Sequence, residues 1–226
     1  MQHFMLMQKK EAGCPIGKLN MTMYDKSYPD FGSVKHGFLP WYAEHKWTGP
    51  AAPLPSGLVV ASKVRRPRFG VRNLFKTIYL ADQDFWDASL EAGAVFNDVQ
   101  RIDIVTSSND VPHADQGYRA IVPKILGIDA LGPDSRHSPM QSSLIETYTR
   151  LSISKDVAEP LFMINGLAPM FTGLICSTRM KNCLQARRIR GVDFCPLSEL
   201  SSSSIQRSYE SYGDPDAAMA EPRFPI

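Results

Sequence analysis

IYLADQDFWDASLEAGAVFNDV (residues 78–99) and LICSTRMKNCLQARRIRGVDF (residues 174–194) decide the fold, because they spell one pattern twice. Each begins with a short apolar run that reads as a strand. A small or acidic side chain follows, Asp82 or Ser177, able to accept from the free amides that open a helix. In the first copy the helix spans residues 83–92, and Gly93 stops it by adopting the left-handed conformation common at helix ends. In the second, spanning residues 178–188, Met180, Cys183 and Leu184 share one face at i, i+3, i+4 spacing. Arg187 and Arg188 occupy its last turn, where the helix dipole favours cations, and Gly191 ends it. Val99 and the run Val192-Asp193-Phe194 then resume as strand. Two copies do not make a solenoid. They imply an α+β fold: a mostly antiparallel sheet with a few helices packed on it, built from two similar strand–helix–strand units.

Working outward, residues 3–8 read as a first strand and 58–62, 75–80, 96–106, 118–128, 144–154 and 161–164 as others. The stretch 96–106 alternates through Val99, Ile102 and Ile104, and 118–128 is expected to pair beside it. Asn165-Gly166 supplies a turn. Residues 9–56 are dense in Gly, Pro and aromatics and lack periodicity. Loops beyond about 15 residues are generally functional or disordered; here Tyr24, Tyr28, Phe31, Phe38, Trp41, Tyr42 and Trp47 favour packing over disorder. The proline run at 49–55 cannot supply sheet amides and reads as an extended connector. Segments 107–116 and 128–142 carry turn chemistry. The expected organisation is an N-terminal strand with a long loop region packed on the main domain (1–57), an α+β domain (58–200), and a mobile Ser- and Pro-rich tail (201–226).

Composition excludes several classes. With 226 residues, 43% apolar and 21% charged, the chain can bury a core unaided. Its 25 basic and 23 acidic side chains leave a net charge of +2, too little to gather nucleic acid or anionic membrane. The apolar start is about one strand long and lacks a basic leader, so no signal peptide is expected. No apolar run approaches the roughly 18 to 20 residues that cross a bilayer. The four cysteines form no C-x-x-C pair, which fits a soluble protein of a reducing cytoplasm.

Chemistry-bearing motifs are few. The histidines His3, His36, His45, His113 and His137 form neither H-x-x-x-H nor H-E-x-x-H, so no helix presents two imidazoles to zinc. His113 with Asp115 is a base–orienter pair in principle, but a surface turn explains it without a nucleophile nearby. Cys176, Cys183 and Cys195 fall within the second unit; buried packing suits them better than a metal site without a fourth ligand. The run Gly13-Cys14-Pro15-Ile16-Gly17-Lys18 lacks the spacing and terminal hydroxyl of a phosphate loop. Asp82, Asp84, Asp87 and Glu91 complement a helix start and need no activity to explain them. No catalytic, metal or cofactor residue is assigned, and no cofactor is expected.

The chain resembles a known family on three stretches: YRAIVPKILGIDALGPDS (118–135), the segment from Pro160 to Leu197, and the earlier unit 79–99. The family is the eleventh of the polymorphic-toxin immunity proteins, first catalogued as a domain of unknown function. The likeness covers about residues 58–197 and rests on structural patterns. Pro123 stands where the pattern tends to have an amide residue, and Ala81-Asp82 where a Ser cap is common. The resemblance implies a non-enzymatic antidote that binds a cognate secreted or injected bacterial toxin, in some loci a nuclease, and protects the producing cell. Such binding needs buried aromatic or arginine anchors. The residues at hand are Trp41, Tyr42 and Trp47 in the long loop and Arg65, Arg66 and Arg68 in the basic cluster 63–72. That cluster is otherwise a solvated loop, and the aromatics otherwise seal an edge of the fold. An enzyme with an unrecognised site and a self-associating structural protein are the alternative classes; a homo-oligomer is compatible with each.

Overall fold

Strand and helix order in the computed structural model is set by the duplicated unit. The structure describes residues 2–14, 16–17, 19, 21–29, 31, 53–63, 67–75, 77–106, 117–141, 144–167, 173–210 and 224–226, with backbone alone for 106 and 207–210. The strands are β1 (His3–Gln8), β2 (Met21–Tyr24), β3 (Val59–Ser62), β4 (Val71–Phe75), β5 (Ile78–Ala81), β6 (Phe96–Arg101), β7 (Asp103–Thr106), β8 (Arg119–Leu126), β9 (Arg136–His137), β10 (Tyr148–Arg150), β11 (Leu161–Ile164), β12 (Ile175–Ser177) and β13 (Val192–Pro196). The helices are α1 (Gln83–Ala92), α2 (Thr178–Ala186) and α3 (Ser202–Glu210). The fold is α+β with a mostly antiparallel sheet.

The main sheet runs β13-β1-β12-β11-β8-β5-β4, with β6 also paired to β8. In the first unit β5 and β6 lie on the two edges of β8, both antiparallel to it: Ala81 and Arg101 both oppose Arg119. In the second, β12 and β13 flank β1 in the same manner, with Cys176 and Pro196 both opposite Phe4. The correspondence holds further along, since Val99 opposes Ile121 as Phe194 opposes Leu6. Each unit is thus a split strand–helix–strand whose gap is filled by a third strand. The Asp82 carboxylate accepts from Phe85 N at 2.8 Å and the Ser177 hydroxyl from Met180 N at 3.3 Å, as the capping pattern predicts. Both units leave their helix through a left-handed residue at the same offset from the cap, Gly93 (φ 83°) and Arg188 (φ 53°).

Alternation along the strands builds two faces. Phe4 and Leu6 of β1, Tyr79 and Ala81 of β5, Ile121 of β8 and Leu161 and Met163 of β11 point to the face carrying α1 and α2, where Phe85, Ala88, Met180 and Leu184 meet them. On the opposite face Ile78, Leu80, Ala120 and Val122 pack under the three-stranded sheet β2-β3-β7. Further along that face Met5, Met7, Phe162, Ile164 and Ile175 pack with Tyr148, Leu151, Leu197 and Ile205. Pro123 stands on β8 between the residues that pair with β5 and those that pair with β11, beside an irregularity in the β6 pairing. A proline inside a long strand is tolerated at such a break.

Several expectations are corrected. The basic cluster 63–72 is not wholly a solvated loop: Lys63 and Arg68 are exposed, but Arg72 lies in β4 and is 1% exposed. The run 75–80 is two strands of a hairpin, Phe75 ending β4 and Ile78 opening β5. The stretch 96–106 divides at Ile102, because β6 joins the main sheet while β7 pairs in parallel with β3. Of residues 144–154 only Tyr148–Arg150 form a strand, and α2 stops at Ala186 with Arg187 as its cap. The long segment 9–56 holds β2, which is antiparallel to β3. Within the tail Ser202–Glu210 is helical, and Phe224 and Ile226 are buried, with Pro225 bridged to Met7 of β1. Ser202 is buried too, its hydroxyl accepting from Tyr148 N and donating to Tyr148 O.

The two end strands of the main sheet order, β13 and β4, are brought together by a polar junction. Gly70 N donates to Arg190 O at 2.9 Å, and Arg68 N to Gly13 O at 3.2 Å. The carbonyl of Gly191 accepts from both Lys9 N and Arg72 Nη1, each at 2.9 Å. Gly191 N donates to the Glu11 carboxylate, and the Cys14 thiol to Arg68 O. A Cβ on Gly191, whose φ is +70°, would meet Cys14 Cβ at 2.9 Å and Cys14 Sγ at 3.0 Å. Gly191→Ala is therefore expected to destabilise the fold by at least ~2 kcal/mol, joining left-handed strain to a clash. Gly57→Ala, at φ +80° with open space around the added carbon, is expected to cost about 1 kcal/mol. Equal urea midpoints for the two variants would refute the junction's tightness.

Candidate functional site

Helix α1 and strands β6 and β8 assemble a cluster that the sequence reading assigned to no site. Trp86 and Phe96 are half-buried, their rings 5.1 Å apart between centroids. The Arg119 guanidinium also sits over the indole, 5.1 Å from the Trp86 ring centroid, and donates to Gln83 Oε1 at 2.8 Å and Gly117 O at 3.1 Å. Burial, with Arg101 nearby, lowers the Arg119 pKa from its ordinary value. Gln83 in turn donates to Asp87. Two hydrogen bonds thus hold the guanidinium within reach of the indole face, where a cation–aromatic contact is favourable.

Two apolar side chains of the same segment stand largely in water, Leu90 at 51% and Val95 at 64% exposure. Leu90 is one helical turn beyond Trp86 and so shares its side of α1, and Val95 precedes Phe96. The second unit shows that the fold does not demand them. At the same offsets from its Ser177 cap it carries Lys181 for Trp86, Gln185 for Leu90 and Arg190 for Val95. Lys181 lies 4.0 Å from the Phe4 ring centroid. Phe4 is the register equivalent of Arg119, so cation and aromatic have exchanged places between the units.

The buried ionisable groups are engaged in structure. Tyr118 donates to Phe69 O at 2.7 Å, and its pKa is raised, chiefly by burial. Burial likewise raises the Cys14 and Cys176 thiols, the unreactive direction for a nucleophile. Among the described residues no group of three or more His, Cys, Asp or Glu is placed to hold a metal ion, and no helix is long and apolar enough to cross a membrane. Of the binding residues expected from sequence, Arg68 is exposed at the junction, while Trp41, Tyr42, Trp47, Arg65 and Arg66 lie outside the described residues, as do His36, His45, His113 and Asp115. Trp86 and Arg119 went unnoticed because they are distant in sequence. The available signal was the failed symmetry between Leu90–Val95 and Gln185–Arg190.

No family model matches the chain, and no curated protein does.

Two outcomes follow. Leu90→Gln with Val95→Arg, which installs the second unit's residues, is expected to leave stability within about 0.5 kcal/mol, whereas Trp86→Ala should cost ~2 kcal/mol or more in denaturant unfolding. Burial also pushes Asp82 up to about 7 against its cap hydrogen bonds, with Asp84 and Asp87 adding to the rise. A carboxyl held above its ordinary value binds its proton more readily folded than unfolded. It supports the fold most below about pH 3.8 and loses that support as the pH rises through about 7. Asn still caps a helix but carries no charge. Asp82→Asn should therefore gain stability relative to the unsubstituted protein above neutrality, the difference shrinking in acid; a pH-independent difference in melting temperature would contradict this.

Proposed function

We propose that the protein is an immunity protein, acting in the cytoplasm by binding a cognate secreted or injected bacterial toxin and so protecting the cell that makes it. One observation carries this reading: Leu90 and Val95, from the segment that supplies Trp86 and Phe96, stand exposed at positions where the sister unit is polar. Exposed apolar side chains that the fold does not require are a liability unless something covers them. Trp and Arg anchors at the centre of a small apolar patch are the composition of an interface hot spot. Neutralisation by such a face needs no covalent step, which agrees with buried thiols and carboxyls spent on capping and on the junction. The choice of a toxin as partner comes from the resemblance read in the sequence over residues 58–197, which no family model matches.

The test pairs this protein with the product encoded beside its gene. The neighbouring product should be lethal when expressed alone and harmless when this protein is present, and the two should co-purify in fixed stoichiometry. Trp86→Ala combined with Leu90→Glu should abolish both protection and co-purification, while His137→Ala, on an exposed strand away from this cluster, should change neither. Full viability with the neighbour expressed and this protein deleted would overturn the proposal.

A further inference from the structure

Helices α1 and α2 share one face of the sheet, yet their charges are partitioned. The segment QDFWDASLEA of α1 holds Asp84, Asp87 and Glu91 and no basic residue. The segment TRMKNCLQA of α2 holds Arg179 and Lys181 and no acid, and Arg187 and Arg188 follow it. Part of this division serves the chain itself. The Glu91 carboxylate meets Arg187 at 3.1 Å, and Arg179 donates to Glu91 O. The remainder does not: Asp84 on α1 and Arg188 in the turn that follows α2 are exposed, and Leu90 projects from the acidic helix.

A surface that is acidic and apolar on one half and basic on the other is complementary to itself under a two-fold rotation, which sets each acidic half against the basic half of the other copy. We infer that two copies of this chain associate through the α1–α2 face, with Leu90 and Val95 of each copy covered by the other. The inference touches the proposed function through those two residues alone: a toxin that engages them must displace the second copy. Helices of ten and nine residues are about 15 Å long. The face is therefore smaller than the ~800 Å² per partner of a standard interface, and the dimer is a reversible one.

Sedimentation velocity on the purified full chain, with no toxin present, is the test. A concentration-dependent dimer is expected at low salt, weakening near 1 M salt, where screening shortens to about 3 Å. Leu90→Gln with Val95→Arg should weaken association by ~100-fold with circular dichroism unchanged. Asp84→Lys with Asp87→Lys, and separately Arg179→Glu with Arg188→Glu, should each yield monomers, and an equimolar mixture of the two should restore a dimer containing one of each. A monomer at every concentration overturns the inference, as does a dimer that survives the Leu90 and Val95 replacements or a mixture of the charge-reversed chains that stays monomeric. None of these measurements involves a toxin, so their failure leaves the neutralisation reading intact, and the failure of that reading leaves the dimer.

Discussion

The fold depends on one buried cation. Arg72 is enclosed where the end strands β4 and β13 meet, and its guanidinium donates to the carbonyls of Gly191 and Val71. Burying a charge costs several kcal/mol unless hydrogen bonds and nearby charge offset it. Arginine is the residue that bears this best, being weakly hydrated and having several donors in a fixed plane. Burial draws its pKa down only to about 10, so it stays charged at neutral pH, with Glu11 acting in the opposite sense. The Phe69 ring lies 5.8 Å from the guanidinium carbon. Every segment that reaches this point is committed by it: the N-terminal turn through Gly13 and Cys14, the entry to β4 through Gly70, and the exit of α2 through Arg190 and Gly191.

That constraint explains which parts of the structure were legible in sequence. Caps and stops are local, so Asp82, Gly93 and Ser177 announced their helices, and the duplicated unit followed from them. Arg72 was misread because five basic residues within ten positions look solvated, and only tertiary placement distinguishes the one that turns inward. Strands of four residues such as β2 have too few alternations to register a period. The boundary between β6 and β7 was invisible for a related reason: Ile102 continues the apolar alternation while the chain changes sheets.

Position in the chain misled more than composition did. The third strand of the second unit is β1, separated from β12 by most of the chain. No pattern confined to residues 174–194 could identify it. The same holds for the C-terminus, whose Phe224 and Ile226 close over β1 beside Leu174, although residues around them are polar and proline-rich. The site was hidden likewise. Trp86 belongs to a helix with an ordinary acidic surface, and Arg119 to a strand that is otherwise apolar except at Lys124; their contact exists only because β8 fills the gap between β5 and β6.

The duplication also acts as an internal control that a single structure rarely provides. Equivalent positions in the two units share backbone register, capping and left-handed exit, so whatever differs between them is not needed for that architecture. Exchange of cation and aromatic between Arg119–Trp86 and Phe4–Lys181 preserves the same contact by swapped partners, which marks the contact itself as structural. Leu90 and Val95 preserve nothing of the kind, since Gln185 and Arg190 at the matching positions are polar and the second unit folds with them. Replacing a polar residue by an exposed apolar one gives up hydration without gaining burial inside the chain. Among the described residues Leu90 and Val95 stay 51% and 64% exposed, so the polar side chains of the second unit would serve the same backbone equally well.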